Sequence, residues 1–456
     1  MLNGQVSHWW QQIGAQEPRP NLRGHGTFDV AIVGGGFTGL WTAYYLAKSA
    51  PELNIAIFEA RHVGYGASGR NGGWLTNTIT AGRERYLKTH PVQAINDFQL
   101  AMNDSVEEVI KVCETENIDA DILRGGEFEV AYTPAQEHRL RAQAEADQGW
   151  EHTDVRLLEA AEAQCKISVA GTRAALWHPH AARIQPAKLV RGLAQAVERL
   201  GVKIYEDTPV RSIRPRQVDI AGGTVSAEYI VRATEGFTAQ LTGHKRLWLP
   251  MNSSMIVTEP LPSSVWDELN WSQGEVLGDF AHVYMYAQRT ADNRIAIGGR
   301  GVPYKYGSRT DTDGQTPQST IDGLQDVLYR MFPQTHHAKI DHAWSGVLGV
   351  PRDWAATVGL DPMTGIGWAG GYVGTGVATT NLSGRTLRDL ILGEQTALTE
   401  LPWVNHAVRK WEPEPLRWLA TKGLYAAYGA ADRSELRGRE TSSPLALLAD
   451  KITGKP

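Results

Sequence analysis

A chain of 456 residues, 42% hydrophobic and 21% charged, has the balance of an ordinary globular enzyme and length for about two interleaved domains. Its net charge of −5 and lack of a basic run argue against a nucleic-acid partner. The two isolated cysteines, Cys113 and Cys165, support neither a disulfide framework nor a zinc site.

The first twenty residues have no basic start, apolar core or small-residue cleavage site, so no signal peptide is expected. No window approaches ~18 unbroken apolar residues, so no membrane span is expected and the chain is assigned to the cytoplasm.

The first strong element is "FDVAIVGGGFTGLWTAYYLAKSAPELNIAIFEA", residues 28–60. "VAIV" is a β-branched apolar run, suited to a parallel strand buried on both faces. Gly34, Gly36 and Gly39 then spell G-x-G-x-x-G. The first permits a tight turn, the second lets a phosphate approach the backbone, and the third lets the helix pack on the strand. Phe37 and Thr38 open that helix, whose free N–H groups and dipole would hold a pyrophosphate. A second strand ends at Glu59, placed to take ribose hydroxyls, followed by Ala60 and Arg61. The unit specifies an ADP-bearing dinucleotide without choosing between NAD and FAD.

The next run, "RHVGYGASGRNGGWL" (61–75), makes the choice. Its glycines, with Ala67, Ser68, Arg70, Asn71, Gly72 and Gly73 among them, read as backbone lying against a large flat ligand. "GASGRNGG" after a G-x-G-x-x-G unit resembles the D-amino-acid-oxidase-like FAD oxidoreductases, and within them the γ-glutamylputrescine oxidase branch. The resemblance implies an α/β fold with a discontinuous Rossmann-like FAD domain of the glutathione-reductase type. A second, mostly antiparallel sheet would form the substrate domain.

Three later segments agree. "ARIQPAKLVRGLAQAVERLGVKIYEDTPVRSI" (182–213) starts a helix at Pro186 and brings Val210 to the adenine. "YIVRATEGF" (229–237) resembles the strand and turn under the ADP, with Ala233 and Thr234 at the contact. "GWAGGYVGTGVATTNLSGRTLRDLILG" (367–393) opens a helix at Gly374, Thr375, Gly376 and Val377. By resemblance, its N-terminus faces the flavin N1–C2=O edge, where N–H groups favour negative charge. The tail "KWEPEPLRWL" (410–419) also resembles the putrescine-oxidase branch. The cofactor is therefore expected to be FAD. It is expected to be non-covalent, since Arg70 stands where some relatives carry the attaching histidine.

The FAD domain is expected at 26–85, 150–240 and 340–395. A substrate or roof domain follows at 86–149 and 241–339, and a helical appendage at 396–456. Residues 91–118 read helical, and "DRSELRGRETSSP" reads as a loop.

The resemblance implies hydride transfer from a carbon next to nitrogen, then imine hydrolysis, with molecular oxygen as acceptor. Relatives that oxidise amino acids clamp the carboxylate with an arginine in a "GLRPGTxD"-like run. The matching run here is "WSGVLGVPRDWAATVG" (344–359), where that arginine falls on Leu348 and Arg352 fits a later position. This favours a small-molecule amine without a carboxylate on the reacting carbon, unless Arg70 or Arg300 substitutes. Alternation in "DFAHVYMYAQR" places His282, Tyr284 and Tyr286 on one face. His282 is a candidate to handle an amine proton and Tyr284 to face substrate. Arg70 is placed near the isoalloxazine, with its fixed donors. Trp74 and Trp248 are candidates for an aromatic wall. His336 and His337 lack a third ligand, so no metal is expected. Two rivals stand beside the amine reading: an amino-acid or N-methylamino-acid oxidase or dehydrogenase of the same fold, and a non-catalytic flavin-binding subunit.

Overall fold

The computed structural model describes residues 1–14, 16–272, 274–299, 304–310 and 313–453. Arg300 lies outside them.

A parallel sheet carries the glycine turn. Its strands run in the order Lys203–Tyr205, Ile55–Phe58, Gly26–Val33, Gly223–Arg232 and Ile366–Gly370. The register pairs Val30 with both Ile55 and Tyr229. The run "VAIV" is buried on both faces, as a central parallel strand must be. Val30 and Ile32 join one core and Ala31 and Val33 another. Helices Phe37–Ser49, Pro186–Arg199 and Gly376–Leu392 cover the first face. The hairpin strands Val210–Arg214 and Gln217–Ile220 extend the sheet antiparallel to the start of Gly223–Arg232.

The second sheet has nine strands. In order they are Leu2–Asn3, Ile340–Val350, Leu249–Thr258, Ile295–Gly299, Tyr286–Arg289, Val276–Asp279, Glu127–Ala131, Ala174–His178 and Arg156–Glu159. All pairings are antiparallel except those of Leu2–Asn3 with Ile340–Val350 and of Val276–Asp279 with Glu127–Ala131. Phe128, Leu277, Ala287 and Ile297 project to an outer core with the helix Gln318–Met331.

The domain division differs from the sequence expectation. The strands at 156–159, 174–178 and 340–350 pair into the nine-stranded sheet rather than with the cofactor half. The helix Val92–Thr115 instead packs Ile95, Phe98 and Val109 into the core that holds Leu382 and Leu387. Ladder partners are set by hydrogen bonds across the sheet, which chain position does not reveal.

The tail ends in helices Leu416–Leu436 and Pro444–Thr453, joined through Tyr428, Ala431, Ala446 and Ala449. "DRSEL" is helix, not loop, and the chain turns only from Arg437. Among the described residues no helix is long and apolar enough to cross a membrane.

Candidate cofactor and active site

Gly34 adopts φ +115°, and a β-carbon there would lie 2.4 Å from the Ala233 carbonyl oxygen. A β-carbon on Gly36 would meet Ser68 Oγ at 2.8 Å, and one on Gly39 would meet the Gly34 carbonyl at 2.1 Å. Each glycine thus does the steric task its place in the motif demands. Ser68 Oγ accepts the Phe37 N–H at 2.8 Å, joining the second glycine-rich loop to the helix N-terminus.

Glu59 leans back over the turn. One carboxylate oxygen accepts the Gly35 N–H at 2.8 Å and the other accepts the Arg61 N–H at 3.0 Å. Burial pushes this carboxyl up, and those N–H groups pull against it.

A cavity of about 650 Å³ starts at this turn, large enough for a dinucleotide. Glu59, Ala60, Arg61 and Val210 line one end. The middle is lined by Gly34, Gly36, Phe37 and Thr38, faced by Ala67, Ser68, Asn71, Ala233 and Thr234. The far end is closed by Leu348, Gly374, Gly376 and Val377, at the start of the helix Gly376–Leu392. Six chain segments from 34 to 377 meet here. The cradle left by the glycines, the carboxylate at one end and a helix N-terminus at the other fit FAD. No cysteine or histidine is among the described lining residues.

Five expected cofactor residues support the cavity without lining it. Gly39 makes the helix–strand contact. Gly72 seats the Tyr286 ring, where a β-carbon would lie 2.7 Å from it. Gly73, at φ +72°, lies against the Gln288 amide. Thr375 exchanges a hydroxyl hydrogen bond with Thr80 at 2.8 Å. Arg70 is buried, donating from Nε to the Tyr65 carbonyl at 2.7 Å and from Nη1 to the Ser345 carbonyl at 3.1 Å. Its guanidinium lies over the Tyr65 ring, 4.4 Å from the centroid. Those donors fasten the loop to the roof strand.

The roof residues divide. The strand begins only at Tyr286, and His282 and Val283 form a turn, so the expected alternation stops there. His282 is carried away from the cavity: its Nε2 meets Glu435 Oε1 at 2.9 Å, on the C-terminal helix. Tyr284 stays at the cofactor side, and a β-carbon on Gly374 would lie 3.8 Å from its hydroxyl. Tyr286 shares a hydroxyl hydrogen bond with Ser253 at 2.8 Å and stands edge-on to Trp74. Trp248 is core, under the Arg232 guanidinium. Arg352 is engaged by Glu412 and stacked on Trp411. His282, Asp432 and Glu435 are near enough to share a cation, but Arg139 already grips both oxygens of Glu435 at 2.9 and 2.8 Å.

Two carboxyls escaped the sequence reading. Glu235, at φ +38° beside the cavity, accepts the Gly371 N–H at 2.8 Å and the Gly349 N–H at 3.1 Å. Burial pushes it up to about 7 against those bonds. Glu129 faces Trp74 across Gly278, and burial, then Glu127, Asp147 and Asp279, push it well above the usual carboxylate range. Glu235 sits in the short run "ATEG", which has no periodic signature, and Glu129 alternates with Phe128 and Val130 in "EFEVA", a pattern that reads as an acid facing solvent.

The FAD dependent oxidoreductase (DAO) family matches residues 29–390. The gamma-glutamylputrescine oxidoreductase of Escherichia coli K12 is 29% identical over 374 residues, 81% of this chain and 84% of that protein. The glycine oxidase of Geobacillus kaustophilus HTA426 is 25% identical over 399 residues, 82% of this chain and 96% of that protein. The crystal structure of glycine oxidase from Geobacillus kaustophilus superposes with a TM-score of 0.68 at 23% identity, over 84% of this chain and 100% of that one.

Proposed function

The chain belongs to the FAD dependent oxidoreductase (DAO) family and is an FAD enzyme acting on C–N bonds, and on that premise we propose that its substrate is an amine whose reacting carbon bears no carboxylate. A γ-glutamylputrescine-like or other primary or secondary amine would leave as an aldehyde, with ammonia or a smaller amine. Molecular oxygen would take up the electrons as hydrogen peroxide, and the FAD would be held without a covalent bond. When bound, FAD supplies the acceptor for hydride from a C–H next to nitrogen.

The observation that carries the reading is the state of the arginines. Leu348, at the far end of the cavity, occupies the clamp position with an apolar side chain. Arg352 Nε is engaged by Glu412, and Arg70 Nε and Nη1 by two backbone carbonyls. Among the described lining residues the only arginine is Arg61, beside Glu59 at the opposite end. Among the described residues, no cation stands ready for a carboxylate at the Leu348 end, and burying one unpaired is costly. A neutral or cationic amine would instead meet the Tyr284 hydroxyl and, further out, Trp74 and Glu129. The free N–H groups of the helix beginning at Gly376 would face the flavin ring, favouring its negative charge on reduction, and so would not serve a substrate carboxylate.

The test is a turnover panel: an acyl-capped diamine, a plain diamine, a D-amino acid and sarcosine, with oxygen uptake and peroxide measured for each. The reading predicts turnover of amines at least tenfold above either amino acid, the discrimination expected when a buried charge goes unpaired. Preferred turnover of the amino acids would overturn it.

A further inference from the structure

The family match ends at residue 390, yet the helix Leu416–Leu436 reaches back to the roof beside the cofactor site. The Phe280–Tyr284 segment it meets lies between the strands Val276–Asp279 and Tyr286–Arg289. Asp432 takes two of its inner amides: Oδ1 accepts the His282 N–H at 2.8 Å and Oδ2 the Val283 N–H at 3.0 Å. Glu435 Oε1 meets His282 Nε2 at 2.9 Å. Arg139 closes the ring, holding Glu435 through both nitrogens and donating to the Phe280 carbonyl at 2.6 Å and Ser442 Oγ at 2.8 Å. The His282 ring stacks on Tyr428 at 5.9 Å, and Val283 packs against the cluster joining the two C-terminal helices.

We propose that this helix is part of the active site: Asp432, Glu435, His282 and Arg139 are positioning residues that fix the Phe280–Tyr284 turn and so set the Tyr284 hydroxyl beside Gly374. The proposal rests on the amine-oxidase reading for what Tyr284 touches, but the clamp on the turn stands on geometry alone. Asp279 holds the far side of the turn, accepting the Met285 N–H at 3.0 Å, and the helix takes the His282 and Val283 amides between. Two backbone amides share one carboxylate, and the imidazole and guanidinium share another, so each acid fixes two groups at once. Charge-assisted hydrogen bonds of this kind are the strong ones. Burial alone would raise the Glu435 carboxyl. The hydrogen bonds from His282 and Arg139 reverse that and hold it at about 2, as a permanently charged anchor. With Arg139 across both its oxygens, the cluster serves as a latch rather than a cation site. A hydroxyl displaced by ~1 Å at a reacting centre can cost on the order of a hundredfold in rate, so a latch this far from the chemistry can still govern it.

The test uses the intact flavoprotein with Asp432→Asn, Glu435→Gln and Tyr284→Phe, singly and as the Asp432→Asn/Tyr284→Phe double variant. Amide hydrogen exchange at His282 and Val283 reads the latch without any substrate. It should be slow in the parent and faster by tenfold or more in Asp432→Asn, while the flavin spectrum and bound FAD stay unchanged. Kinetically, Asp432→Asn should lower kcat/KM for the amine by about tenfold, and that loss should vanish in the Tyr284→Phe background. Unchanged exchange in Asp432→Asn, or a full and additive loss in the double variant, would overturn the proposal. If no amine is oxidised by the parent, the reading of function fails, and the exchange result still decides the latch.

Discussion

The Arg352 guanidinium lies over the Trp411 ring, 5.2 Å from its centroid, while its Nε reaches the two Glu412 oxygens at 3.2 and 3.1 Å. The cation nearest in sequence to the missing clamp is thereby part of a wall that joins the tail to the roof. Arg352→Ala should cost ~1–2 kcal/mol of stability from the half-exposed pair and the stacked ring together. It should leave the preference between amines and amino acids unchanged. Leu348→Arg should move that preference towards amino acids by at least tenfold. Thermal melts and the two kcat/KM values check both variants.

The Glu59 carboxylate is already held in place by the Gly35 and Arg61 amides, so a ribose bound there would meet a preorganised acceptor. Glu59→Ala removes it and leaves the Gly35 N–H to the cavity. FAD should bind about tenfold or more weakly, as expected for a lost hydrogen bond to a charged group. Flavin fluorescence released on dilution measures the change.

Gly36 is a sharper probe of the cradle, because its added β-carbon would fall 2.8 Å from Ser68 Oγ, in the space by which the phosphates must pass. Gly36→Ala should yield a folded protein largely without flavin. Circular dichroism paired with the ratio of flavin to protein absorbance separates lost binding from lost fold.

Glu235 makes a prediction about pH. Its carboxyl is pushed up to about 7 by burial, against the Gly371, Gly349 and Tyr372 N–H groups. The folded state therefore holds this proton more tightly than the unfolded chain. The resulting stability is complete below about pH 4.5 and is lost as pH rises towards 7. Glu235→Gln cannot ionise, so its stability relative to the parent should grow between pH 5 and pH 8, by ~1–3 kcal/mol. A difference independent of pH would contradict the assignment.

The cofactor half was legible because its chemistry is written in backbone steric demands. Gly34, Gly36 and Gly39 keep a fixed spacing for fixed reasons, and Glu59 ends the strand that pairs beside them. The roof was legible in type but not in membership. The strand at 174–178 pairs with Glu127–Ala131 and the strand at 156–159 with 174–178, and neither carries a mark that sets it there rather than in the cofactor sheet. His282 failed for a related reason. Alternation predicts a face only while a strand lasts, and the segment turns at 282 to meet Asp432, 150 residues further on. Arg70 shows a third limit: a long guanidinium in a glycine-rich loop suits a ligand contact and a backbone fastening equally well until the carbonyls of Tyr65 and Ser345 are in view.

The central claim is that an amine without a carboxylate on its reacting carbon reduces the cofactor of this chain. The most direct measurement is the visible spectrum of the purified flavoprotein under anaerobic conditions, with each compound of the panel added separately. The account predicts loss of the ~450 nm flavin band with a capped or plain diamine, persistence with a D-amino acid or sarcosine, and recovery of colour on admitting air. Bleaching by the amino acids, with the diamines inert, would contradict it.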